Sequence, residues 1–277
     1  MATIYKYKVN MSELSEQIRD DINYLKDITD KLYFSINDNV IVYDEKDINV
    51  KYKLIDLEKN HDRRIISGRL IKIFEESDIS KYDEMENTVE STKMKNQAHC
   101  VAFSFKVDTE IIAYIPKRNL SRSEFNKYFS KILTKSLPEI GVVNLQPIVD
   151  RGTLRQRLNE MEVATELSFI IVKPNGIGDD EIRELSNDLI ETGSEKAEIK
   201  FKGNRKNPLK KNAQIIRKFV SFIESGWGQF KAIGYKKDDS PMTIDTNKDT
   251  IQRIYVAESN KDSHMHIQER VFPKLKK

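Results

Sequence analysis

The sequence predicts an α/β or α+β protein in which a mixed sheet is flanked by helices. Three observations carry that prediction. Short segments of two-residue apolar–polar alternation recur along the chain. Segments with apolar residues three and four apart lie between them. One acidic, apolar-poor stretch interrupts both patterns. It divides the chain into an N-terminal α/β part, 1–74, a loop or linker, 75–97, and a C-terminal α/β domain with a basic face, 98–277.

Taken in order, residues 3–10 alternate and read as a strand. Ser12 or Ser15 caps a helix running to about Leu32, with Leu14, Ile18, Ile22, Leu25 and Ile28 on one face. Residues 40–43, 50–57 and 64–74 read as strands, and Gly68 marks a bulge in the third. In 75–96 seven Asp and Glu stand against three Lys, so this stretch reads as exposed. Its sign is opposite to that of the basic stretch described below, over which it would fold in competition with a ligand.

The second part opens with strands at 101–105 and 110–115, joined by a tight turn at 107–109. Ser121 and Glu124 form a capping box, with Leu120 and Phe125 as its hydrophobic staple, for a helix running to about Ser136. A strand at 142–148, a short basic helix at 150–161 and an apolar strand at 162–172 follow. Asp179 caps a helix running through about Glu191. Residues 195–201 alternate as a strand. Asn207 and Pro208 start an amphipathic helix, 209–225, that Gly226 stops. A strand at 229–235, a loop at 236–249, a strand at 250–257 and a last strand at 264–271 complete the chain.

Charge is concentrated in one place. Residues 196–237 hold twelve Lys and Arg against two Glu, in a chain whose formal net charge is +3. A strand, a helix and a strand sharing one basic outer surface would bind a polyanion, most simply a nucleic-acid backbone, DNA or RNA, without reading sequence. The expected contacts are Lys200, Lys202, Arg205, Lys206, Lys210, Lys211, Arg217, Lys218 and Lys231. Six such contacts would give a slope of about −5 in log affinity against log salt. The alternative is a solvated lysine-rich face; the lack of Glu on the polar face of the helix, where i,i+4 pairs with Lys would be usual, favours binding. Trp227, between Gly226 and Gly228, either offers a base a stacking platform, and so joins the contact set, or caps the end of the core.

Motifs for chemistry are weak. Residues 174–178 join a strand to a helix, where a phosphate loop would lie, but Asp179, Asp180 and Glu181 fill the helix start and repel an anion. Glu198-Ile199-Lys200 matches the Glu-x-Lys of a restriction-type, metal-dependent nuclease, which needs a second carboxylate such as Asp180 or Asp188. His264 and His266 would share one face of a strand, a spacing metals use, with no third ligand nearby. The sequence therefore assigns no catalytic residue, metal or cofactor, and favours a binding protein over an enzyme. Cys100 is the one cysteine, which excludes a disulfide framework. The longest apolar run, 169–172, is too short to cross a bilayer, and the N-terminus lacks a signal-peptide core, so the chain is expected in the cytoplasm, away from the membrane.

The run AFSFKVDTEIIAYIPKRNLSRSEFNKYF, 102–129, with GWGQFKAIGY, 226–235, resembles uncharacterised bacterial proteins encoded near phage-defence genes. The two runs together are 38 of the 277 residues. It implies a cytoplasmic component of an anti-phage defence system and supplies no catalytic residues. It also leaves room for a scaffold subunit whose basic face docks an acidic protein partner of a defence complex.

Overall fold

The alternating segments pair into two antiparallel sheets in a computed structural model that describes residues 1–11, 22–174, 187–189, 191–194 and 196–273. The first sheet comprises β1 (Ala2–Met11), β2 (Ile41–Tyr43), β3 (Val50–Asn60), β4 (Ile65–Asp83), β5 (Thr88–Lys106), β6 (Ile111–Tyr114), β7 (Val143–Pro147) and β12 (Arg253–Val256). Its order is β12–β1–β6–β5–β4–β3–β2, with β7 also paired to β1. The second comprises β8 (Val163–Val172), β9 (Lys196–Lys202), β10 (Gly228–Tyr235) and β11 (Pro241–Asp245), in the order β11–β10–β8–β9. Every strand pair described is antiparallel, so the α+β reading holds and the expected mixed sheet is corrected.

Two helices cover one face of the first sheet, α1 (Ile22–Ser35) and α2 (Arg122–Ser136). The expected start of α1 at Ser12 or Ser15 lies outside the described residues. α2 begins as its sequence specifies: Ser121 Oγ accepts from the Glu124 amide at 3.3 Å, and Leu120 and Phe125 are fully buried. The Glu124 carboxylate accepts from Tyr52 Oη at 2.7 Å and Lys72 Nζ at 2.6 Å. Burial would raise its pKa; the Lys72 and Tyr52 hydrogen bonds overcome that and hold it below the usual range. Tyr52 stacks on Tyr128 at 3.5 Å between centroids, which docks α2 on β3. Gly68 lies in β4 where β3 bulges between Ile55 and Glu58. A Cβ at Gly68 would come within 2.9 Å of the Ile55 carbonyl, so the glycine admits a bulge that belongs to the neighbouring strand.

On the other face lies α5 (His264–Val271), where a strand was expected. Ile267 is buried with Val271 packed beside it, a four-residue spacing that suits a helix. Ser67 Oγ lies 2.9 Å from Ser104 Oγ and donates to Gln268 Oε1 at 2.9 Å, which ties α5 to the sheet.

The acidic stretch is a correction of substance. Residues 75–96 form neither loop nor linker; they continue β4 and β5 as one hairpin paired to its tip at Asp83 and Thr88. The expected boundaries at 74 and 98 therefore fall inside two continuous strands. The cores of the two sheets divide elsewhere: that of the second sheet runs from Val149 to Ile244, and the chain returns to the first sheet at Ile251.

The second core lies between one face of the second sheet and two helices, α3 (Arg151–Glu160) and α4 (Gln214–Glu224). Leu167, Phe169, Phe230 and Ile244 point inward from the strands to meet Phe219, Phe222 and Ile223 of α4. β11 occupies part of the expected 236–249 loop. The sheets are joined by polar contacts: Asn10 Nδ2 donates to Lys173 O at 2.6 Å, and Gln229 Nε2 to Gln146 Oε1 at 3.1 Å.

Candidate nucleic-acid interface

Strand alternation decides which way each cation of 196–237 points. In β9, Ala197, Ile199 and Phe201 face the core, so Lys196, Glu198, Lys200 and Lys202 face outward and are exposed. In β10, Lys231, Ile233 and Tyr235 face the same way. The register sets Lys231 opposite Ser168 and Ser168 opposite Lys200, a row across three strands. The next row runs Ile233, Glu166, Lys202. Lys200 Nζ pairs with Glu166 at 3.1 Å, and the Lys200 hydrogen bond holds the Glu166 carboxyl below its usual range. Arg205 lies over the Tyr235 ring, 3.7 Å from its centroid. Lys206 is exposed in the same loop, where Asn204 Oδ1 accepts from its amide. No described helix packs on this outer face.

The remaining cations lie on the opposite side. α4 covers the inner face of the sheet, so its polar face points away from the strands' polar face. The shared basic surface is thus corrected: Lys200, Lys202, Arg205 and Lys231 belong to the sheet side, and Lys210, Lys211, Arg217 and Lys218 to the helix side. The helix also starts later than expected, at Gln214. The Leu209 amide donates to Ala164 O at 2.9 Å, which ties that residue to β8 rather than to a helical turn. Pro208 and Asn207 therefore lie in a loop, and Ala213 stands at the N-cap without a side-chain bond.

A groove of about 690 Å³ runs between α3 and α4 on this helix side. Arg155 grips Glu224 with two bonds, Nε to Oε1 at 2.8 Å and Nη2 to Oε2 at 2.6 Å. Lys211 is committed to the fold: its Nζ donates to Leu158 O at 2.7 Å and to Met161 O, closing the C-terminal end of α3. Burial pushes its pKa down. Arg217 is exposed and Lys218 half-buried on the groove wall.

Trp227 is 9% exposed and packs in the second core, with Lys8 Nζ 5.0 Å from its ring. Of the two readings of Trp227, the one in which it caps the end of the core holds, and the residue leaves the contact set. The ring that does carry an exposed planar group is Tyr235. Its position in the Lys231–Ile233–Tyr235 alternation was readable; the arrival of Arg205 on top of it, through a turn at 203–207, was not.

The family model for a domain of unknown function, DUF4747, matches residues 39–276. The chain belongs to the DUF4747 family. No curated protein matches it. The DUF4747 match takes in the whole second sheet and leaves β1 ahead of it.

The remaining motifs of this DUF4747 chain do not assemble. Glu198 and Lys200 share the outer face of β9, but Glu198 has Ile170 as its cross-strand partner and Lys200 is paired to Glu166. Asp180 and residues 175–178 lie outside the described residues; Asp188 is exposed in the short helical piece at 187–189. Among the described residues, no group of three His, Cys, Asp or Glu is placed to hold a metal. His264 and His266 lie on a helix, which turns two-residue neighbours to different sides; His264 Nε2 lies 3.3 Å from Glu58, and His266 Nε2 3.4 Å from Asn260. No described helix is long and apolar enough to cross a membrane.

Proposed function

We propose that the protein binds single-stranded nucleic acid along its backbone on the outer face of the second sheet. One observation carries the reading: a four-stranded face on which no described helix packs presents Lys200, Lys202 and Lys231 in adjoining rows, with the Arg205–Tyr235 stack beside them. Such a face is flat, so a strand with splayed bases can lie on it while its phosphates meet the lysines. The free side of the Arg205 guanidinium is a plane on which a base stacks. Glu166, Glu198 and Asp245 on the same face keep the net charge modest, which favours a weakly held chain. The place of this activity in anti-phage defence rests on the resemblance of 102–129 and 226–235 alone.

The test is anisotropy of labelled single- and double-stranded DNA and RNA titrated with salt. Four cations outside the Glu166 pair (Lys196, Lys202, Arg205, Lys231) should give a slope of about −3 on single strands. Replacing Lys202, Arg205 and Lys231 by Ala should flatten it by about 2. Replacing Lys210 and Arg217 should leave it unchanged. Absence of binding at low salt, or equal loss from both sets of variants, overturns the reading; preference for duplex overturns its single-strand part.

A further inference from the structure

The first sheet ends at Phe74 and Gln97, but β4 and β5 continue. Their pairing beyond Glu76↔Lys95 runs to Asp83↔Thr88 with no third strand described on either side. Eight residues of strand reach about 25 Å. This arm exposes large apolar side chains: Tyr82, Met94, Val89 at 66% and Met85 at 98%. Its sequence, 75–96, carries seven acids against three lysines. A two-stranded ribbon is marginal in water without a surface to lie on, and exposed apolar groups at its tip mark such a contact.

The same chain holds a surface of opposite sign. In the α3–α4 groove, Arg217 and Lys218 rise on the wall, Arg155 covers the buried Glu224, and Leu158 and Val220 supply apolar lining. We propose that the arm of one copy lies in the α3–α4 groove of a second copy, and reciprocally. A two-fold pair satisfies both arms and both grooves at once. Acids of the arm meet Arg217, and the Met85 end reaches the apolar lining. Complementarity between two parts of one sequence points to a second copy before any other partner. The groove lies on the opposite side of the second sheet from the nucleic-acid face, so this inference stands separately from the function proposed above.

Light scattering on the full chain tests it by charge exchange. The wild-type chain should run at twice the chain mass. Glu84→Lys in the arm should halve that mass, and so should Arg217→Glu in the groove. Mixing the two variants should restore the doubled mass, because each reversed arm then faces a reversed groove. Restoration also shows that both variants are folded. A wild-type chain that stays at single mass, variants that stay paired, or a mixture that stays single overturns the proposal. In a Cys100→Ser background, Met85→Cys and Asn212→Cys should join two chains on oxidation; a bond closed within one chain overturns the exchange and leaves the arm folded on its own groove.

Discussion

At the scale of single residues, the cations of 196–237 divide by what holds them. Lys211 is spent on two carbonyls, Lys200 on Glu166, and Arg205 on an aromatic ring. Counting charge in sequence treats these as equal, because the partner of each lies in a segment distant in the chain. Trp227 shows the same limit. Two flanking glycines suit an exposed ring and a buried one alike, and burial was decided by the packing of α4 on β10. Trp227→Ala should therefore lower unfolding free energy by about 3–5 kcal/mol in urea titration and leave oligonucleotide affinity unchanged; native fluorescence should resist quenching by bound nucleic acid. Glu45 makes a second residue-level prediction. It bridges Lys127 Nζ at 2.7 Å and also Lys131, and those bonds pull its pKa from 4.5 to about 2. A carboxylate depressed in the fold stabilises above its unfolded value and loses that contribution as pH falls through its folded value. The difference in thermal midpoint between wild type and Glu45→Gln should be full above about pH 4.5 and should close toward pH 2.

At the scale of elements, legibility followed burial. Strands with one face on a core alternate visibly, as in β1, β5 and β9, and α2 announced its start through Ser121, Glu124, Leu120 and Phe125. The arm was not legible because the two-residue apolar pattern that reveals a strand is absent from its sequence, and its described apolar side chains, Tyr82, Met85, Val89 and Met94, are exposed. α5 was misread because eight residues with Met265, Ile267 and Val271 satisfy both periods over so short a length. The 209–213 segment has helical composition and was taken from the helix by one strand contact, the Leu209 amide on Ala164. Elements also set the tolerance to substitution. β10 passes so close to β8 that a Cβ on Gly234 would be 2.1 Å from the Val163 carbonyl. Gly234→Ala should cost about 1–3 kcal/mol or more in thermal unfolding, because backbone must move where the register already shifts. Arg155→Ala should cost about 1–3 kcal/mol, since it strands the buried Glu224; Arg155→Ala with Glu224→Met should recover part of that loss in a double-mutant cycle.

At the scale of the whole molecule, one packing decision separates the two polar faces. An amphipathic helix laid on a sheet turns its polar stripe away from the strands, so basic residues contiguous in sequence end on opposite surfaces. The sequence sees a block of charge; the fold makes of it a flat face and a groove. The two proposals assign those surfaces to different partners, and variants of one surface should leave the other's measurement untouched.

The seat of β1 in the first sheet carries a consequence for the chain in time. One edge of β1 is completed in two halves, by β7 along Tyr7–Met11 and by β12 along Ala2–Tyr5. The second half comes from Arg253–Val256, so β1 waits for β12. At ribosomal rates of about 5–20 residues per second, that interval is on the order of 10–50 s. For that period the N-terminal half of an alternating strand presents open backbone to the cell, and a chain stalled before Arg253 would carry that edge unprotected.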